Sequence, residues 1–154
     1  MRRGRALAGA VVVGLLPVLV AAGCGGEDAS GPSAEVLVRR TVVSWYAAVA
    51  RGEGEKACAL MTEAGRRRDL AGGGSVVEPS GRVHAAPASC EAQVETAADE
   101  LQRGGVAAEL GAATVGRVCV LDDQATATAE FAQRRQTLVL RRVAGRWLVD
   151  GARG

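Results

Sequence analysis

TVGRVCVLDDQATATAEF, residues 114–131, is where the spacing of apolar residues changes from a period of 3.6 to a period of 2. Val115, Cys119 and Leu121 alternate with Val118 and Val120, which predicts a strand covered on both faces. Asp122 and Asp123 turn the chain. A second strand follows, with Ala125, Ala127, Ala129 and Phe131 on one face and Thr126, Thr128 and Glu130 on the other. TLVLRRV, residues 137–143, reads as a third strand, Ala144 and Gly145 as a tight turn, and RWLVD, residues 146–150, as a fourth. Four consecutive strands with short connections predict an antiparallel meander.

Upstream of Thr114 the spacing is helical. Ser33 is placed to cap a helix with Glu35 in its first turn, and Val38, Val42, Trp45 and Val49 form its apolar stripe until Gly52 stops it. After Glu53 and Gly54 a second helix is expected to carry Ala57, Leu60, Met61 and Ala64 inward and to end at Gly65. AGGGSVVEPSGRVHAA, residues 71–86, is too rich in Gly and Pro for a helix and reads as a loop or short irregular hairpin. Pro87 and Ser89 open a third helix that buries Val94, Ala97, Ala98 and Leu101 before Gly104 and Gly105. Helices first and strands after them define an α+β domain: three N-terminal helices packed on an antiparallel sheet of about four strands.

The other end of the chain carries an address. Arg2, Arg3 and Arg5 precede an apolar run from Ala6 to Gly23 that Pro17 interrupts, the order of a secretory signal peptide. A retained membrane anchor is the alternative, and Gly9, Gly14 and Pro17 make it a poor span. Ala21, Ala22, Gly23 and Cys24 resemble the lipobox of bacterial lipoproteins, which implies cleavage before Cys24, diacylglycerol on its sulfur, and membrane attachment by acyl chains such as palmitate. Residues 1–23 are then the signal, 24–33 a flexible tether reaching on the order of 15 to 18 Å, and 34–151 the domain.

Without residues 1–23, sixteen basic side chains face seventeen acidic ones, so the basic character of the whole chain belongs to its leader. That balance gives a nucleic-acid partner no electrostatic support, and the cluster Arg66, Arg67 and Arg68 reads as solvated surface. Export implies an oxidising compartment, so Cys58, Cys90 and Cys119 are candidate disulfide partners. Cys58 with Cys90 is the expected bridge, because both lie on helices whereas Cys119 lies in an apolar strand; pairings through Cys119 stay open.

Catalytic motifs are sparse. Gly72, Gly73 and Gly74 lack the Gly-Lys-Ser/Thr ending of a phosphate loop, and one histidine, His84, with scattered cysteines makes no metal site. No G-x-S-x-G elbow supplies a serine nucleophile, and nothing in sequence activates Cys119. Glu91, Glu95, Asp99 and Glu100 suit a solvated helix face, and Glu130 and Asp150 are expected exposed at strand ends.

Trp45-Tyr46 on the first helix, the Gly52-Glu53 break, Cys58 and Cys90 on the following helices, and the closing GRWLVD together resemble the NTF2-like superfamily, in particular its small exported actinobacterial lipoproteins. The resemblance implies a cone: a curved sheet wrapped round the first helix with an apolar pocket at its open end. Trp45, Tyr46, Val49, Phe131 and Trp147 are then the pocket candidates. It also implies dimerisation through the outer face of the sheet. Catalytic members, the isomerases and dehydratases, place acids, histidine or tyrosine in that pocket, and here Tyr46 alone is suited to it. The reading is therefore a lipid-anchored, extracytoplasmic, non-catalytic protein without cofactor that binds an apolar small molecule or an envelope protein. An isomerase or dehydratase with Tyr46 and one of the loop or strand-end acids at its centre, and a structural accessory subunit of a transporter or cell-wall enzyme, are the alternatives, and the cone's interior separates them: convergent titratable groups, an apolar void, or no void at all.

Overall fold

The computed structural model describes residues 31–72, 76–77, 83–84, 88–131 and 133–153. It is an α+β domain in which helices pack on one face of a four-stranded antiparallel sheet. The strands are β3 (Thr114–Leu121), β4 (Gln124–Phe131), β5 (Arg134–Val143) and β6 (Arg146–Arg153), paired in chain order as the meander requires. A separate two-stranded hairpin, β1 (Val76–Val77) with β2 (Val83–His84), occupies the glycine-rich stretch.

Among the described residues five helices stand where three were expected. Helix α1 (Ala34–Ala50) begins at Ser33, whose hydroxyl accepts from the Val36 N–H at 3.4 Å. Its deepest stripe is Val38, Val42, Tyr46 and Ala50, while Trp45 and Val49 lie at its margin, half-buried. The expected second helix is two, α2 (Gly54–Ala59) and α3 (Glu63–Gly72). Between them the backbone pairs in parallel with β6: the Thr62 N–H donates to the Val149 carbonyl and the Val149 N–H to the Leu60 carbonyl, each at 2.8 Å. Those bonds break the helix and cover the open edge of the sheet. Gly65 therefore ends nothing. A Cβ there would lie 2.9 Å from the Val149 carbonyl oxygen, so glycine is what permits α3 to approach β6. Ala64, expected inside, is exposed.

Helix α4 (Cys90–Arg103) starts at Ser89, whose hydroxyl accepts from the Ala92 N–H at 3.2 Å, and buries Val94 and Ala98 as its spacing demanded. A short α5 (Ala107–Gly111) follows and buries Leu110. Cys58 of α2 is joined to Cys90, with Cα atoms 6.1 Å apart, and Cys119 of β3 stands outside that bridge, half-buried.

The sheet departs from strict alternation at two bulges. Val115 pairs with Ala129 but Val118 with Ala127, so one extra residue on β3 brings both valines to the helix side. The expectation of a strand covered on both faces fails for that reason, and Leu121 on the outer face is 76 % exposed. On β6, Val149 pairs with Leu140 and Gly151 with Val139, leaving Asp150 as the extra residue. Ala125, Ala127 and Ala129 form a small-residue floor under α1, flanked by the fully buried Leu138, Leu140 and Val149. α1 touches β4 and both edge strands, β3 and β6. Each fully buried leucine stabilises this layer by about 1.5–3 kcal/mol.

Candidate functional site

The meander has two ends, and α1 runs from one to the other. At the first, the Asp122–Asp123 and Ala144–Gly145 turns meet the start of α1. At the second, the β4–β5 connection meets the end of α1, where Tyr46 touches Phe131 and Gln136. This separates the five pocket candidates. Trp45, Tyr46, Val49 and Phe131 belong to the second end and Trp147 to the first, so among the described residues the clefts at the two ends divide them.

At the second end the rings fill the space between helix and sheet. Tyr46 is 2 % exposed, with Trp45 edge-on at 5.0 Å and Phe131 tilted at 5.1 Å between ring centroids. Its hydroxyl donates to Gln136 Oε1 at 2.7 Å, and burial pushes the phenol up to about 12. The Trp45 indole N–H is buried and has no hydrogen-bond partner among the described residues. Outside the rings lies a cleft of about 350 Å3, lined by Leu101, Val106, Leu110 and Phe131 with Glu109 and Arg134.

The first end is more open. A cleft of about 560 Å3 is lined by Leu37, Val120 and Trp147 together with Asp122, Asp123 and Arg142. Arg142 Nε sits 3.3 Å from Asp123 Oδ1, and the Thr41 hydroxyl donates to the Trp147 carbonyl at 3.3 Å. Trp147 is itself 4 % exposed.

A third cluster, at the edge of the sheet, holds the most deeply buried carboxylate among the described residues. Asp150, expected exposed, is 5 % exposed because the bulge lodges it beneath α3. Thr62 donates its hydroxyl to Asp150 Oδ1 at 2.6 Å, and Arg141 Nε and Arg68 Nη2 lie 3.1 and 3.0 Å from Oδ2. Burial raises the carboxyl, but the bonds from Thr62, Arg68 and Arg141 together outweigh it and hold Asp150 below the usual carboxylate range. Thr62 also accepts from the Gly65 N–H at 2.9 Å, capping α3. A capping threonine before Glu63 is legible in sequence. Its partnership with Asp150 is not, since 88 residues separate them. The arginine triplet thus divides: Arg67 pairs with Glu63 on the surface, while Arg68 serves Asp150.

Glu130 is exposed and paired with Arg135, as expected at a strand end. His84 lies on β2. Among the described residues no three of His, Cys, Asp and Glu come together in a way that would hold a metal ion, and no helix is long and apolar enough to cross a membrane. Cys24 and the expected signal, residues 1–23, lie outside the described residues.

A scan of protein-family models finds no match, and a search of curated proteins finds none either. Among solved structures the chain is similar to one described as a calcium/calmodulin dependent protein kinase II association domain from Xanthomonas campestris. The two are 18 % identical with a TM-score of 0.37, over 70 % of this chain and 76 % of that one, an overlap too loose to transfer the role of any residue.

Proposed function

We propose that this is a non-catalytic envelope protein, tethered at the outer face of the cytoplasmic membrane through diacylglycerol on Cys24. Residues 24–33 are its tether and 34–151 its domain, and it meets ligand or partner on the surface rather than inside. One observation carries the non-catalytic part: each titratable group drawn into the described interior is already engaged. The Tyr46 hydroxyl is bonded to Gln136, and both oxygens of Asp150 are held by Thr62, Arg68 and Arg141. General acid–base catalysis needs a group free to reach the substrate with a pKa drawn towards neutrality. Tyr46 and Asp150 are shifted away from it in opposite directions.

Rings packed between α1 and the sheet favour docking over enclosure, and with it the accessory-subunit form of the reading over an internal ligand. The cleft beside Phe131 is the best-formed apolar place for such a partner. Assay of the purified full chain and its Tyr46→Phe variant against steroid-like and polyketide-like carbonyl compounds tests the first part. No turnover is expected from either, and turnover that the substitution abolishes overturns it. Intact mass of protein extracted from its own membrane tests the second: residues 24–154 plus diacylglycerol is expected, and a full-length chain with a free Cys24 thiol overturns the anchor.

A further inference from the structure

The first described residue, Gly31, stands at the same end of the sheet as the β3–β4 and β5–β6 turns, because Pro32, Ser33 and Ala34 share a cleft with Asp122, Asp123 and Gly145. That end carries an unusual surface. Among the described residues four large apolar side chains are exposed, Val36, Val43, Leu121 and Val143, and three of them are here. Leu121 and Val143 are the last residues before the two turns, 76 % and 47 % exposed, and Val36 lies on the first turn of α1. Pairing sets both shoulders on the face away from the helices: Leu121 opposite Gln124 and Val143 opposite Arg146. β3 and β5 are two strands apart, and Val143 stands two residues beyond Arg141, which lies level with Leu121 through Gln124, so the two shoulders sit about 12 Å from one another.

Hairpin shoulders facing water are ordinarily polar, and charge does not account for these. Asp122 and Asp123 are matched by Arg142 and Arg146, so the end is close to neutral, with Arg142 already paired to Asp123. A neutral surface with projecting apolar side chains and an arginine beside them suits the headgroup–acyl boundary of a phospholipid bilayer, where apolar groups enter and guanidinium groups stay with the headgroups.

We infer that the tether-proximal end docks directly on the bilayer, with Leu121, Val143 and Val36 entering the lipid interface. This rests on the membrane-tethered reading, though not on which tether is used. Cys24 precedes Gly31 by seven residues, which span at most about 25 Å when extended, so either a lipidated Cys24 or a retained leader delivers this end to the membrane first. The tether then fixes the domain's distance and the shoulders fix its orientation, turning the Phe131 cleft at the opposite end outward.

The test places a tryptophan reporter at each shoulder of the full chain, Leu121→Trp and Val143→Trp, reconstituted in zwitterionic phospholipid vesicles whose acyl chains are brominated. Val43→Trp is the control, exposed on α1 and about 13 Å further along the helix axis than its first residue. Both shoulder variants are expected to show added emission that is blue-shifted and lost to bromine quenching, while the Val43→Trp emission is not. Equal emission from all three in brominated and unbrominated vesicles overturns the docking. Circular dichroism matching the unsubstituted chain ensures that the variants are folded. The mass of the same sample reads the anchor separately: an unlipidated precursor sinks the Cys24 reading, and quenching decides the docking either way.

Discussion

The two ends of the meander are closed by the same strands but with different material. At the end of α1 three rings fill the gap between helix and sheet, with Tyr46 in contact with both Trp45 and Phe131. At the start of α1 a lone ring, Trp147, supports the helix, and a wider cleft remains beside it. The chain has only four aromatic residues, and its central strand offers alanine where it faces the helix. Space that alanine leaves must be taken by something large, so the placement of four rings decides which end is packed and which stays open.

Removing the isolated ring breaks this comparison most directly. Trp147 is almost wholly buried with no second ring to take up the loss, so Trp147→Ala is expected to cost about 3–5 kcal/mol by denaturant unfolding. Phe131 is partly exposed and leans on Tyr46, so Phe131→Ala should cost about half as much. Equal losses, or the reverse order, would mean that the rings at the second end carry the stability of the domain and Trp147 merely lines a cleft.

The disulfide sharpens the contrast next. Cys58 and Cys90 are 32 residues apart, and reducing their bridge should lower stability by about 3–4 kcal/mol on the chain-entropy account. The bridge holds the start of α4, the helix that supplies Leu101 to the cleft beside Phe131. Amide hydrogen exchange after reduction is therefore expected to rise across α4 and to stay unchanged in the β3–β4 turn. A uniform rise would show that the two ends unfold as one unit.

How far the sequence foretold all this follows from the range of each interaction. The meander, its turns and the caps at Ser33 and Ser89 depend on neighbours in the chain, and period and turn chemistry reveal them. The α2–α3 break was hidden because its cause, pairing with Val149, lies some 90 residues downstream and overrides a locally acceptable helix. The bulges were hidden for a related reason: one extra residue in a strand leaves composition unchanged but puts Val115 and Val118 on the same face, and another buries Asp150 where a strand end suggested solvent. The pocket candidates follow from the resemblance to a cone, which names side chains that fill the domain without showing that its two ends divide them.

The smallest expected effect is the most specific to the ring cluster. Tyr46 is the chain's only tyrosine, so phenolate absorbance reports its ionisation without overlap. In the unfolded chain it titrates near 10, and burial pushes the folded value up to about 12. Folding thus favours the protonated ring: its contribution is fully present below pH 10 and is lost as the pH rises from there through about 12. Tyr46→Phe removes that alkaline loss and leaves Gln136 Oε1 without its donor, at a cost of about 1 kcal/mol at neutral pH because water still reaches the half-buried amide. A phenol in the native protein that titrates near 10 would mean that water enters among the rings, and the second end would then be as open as the first.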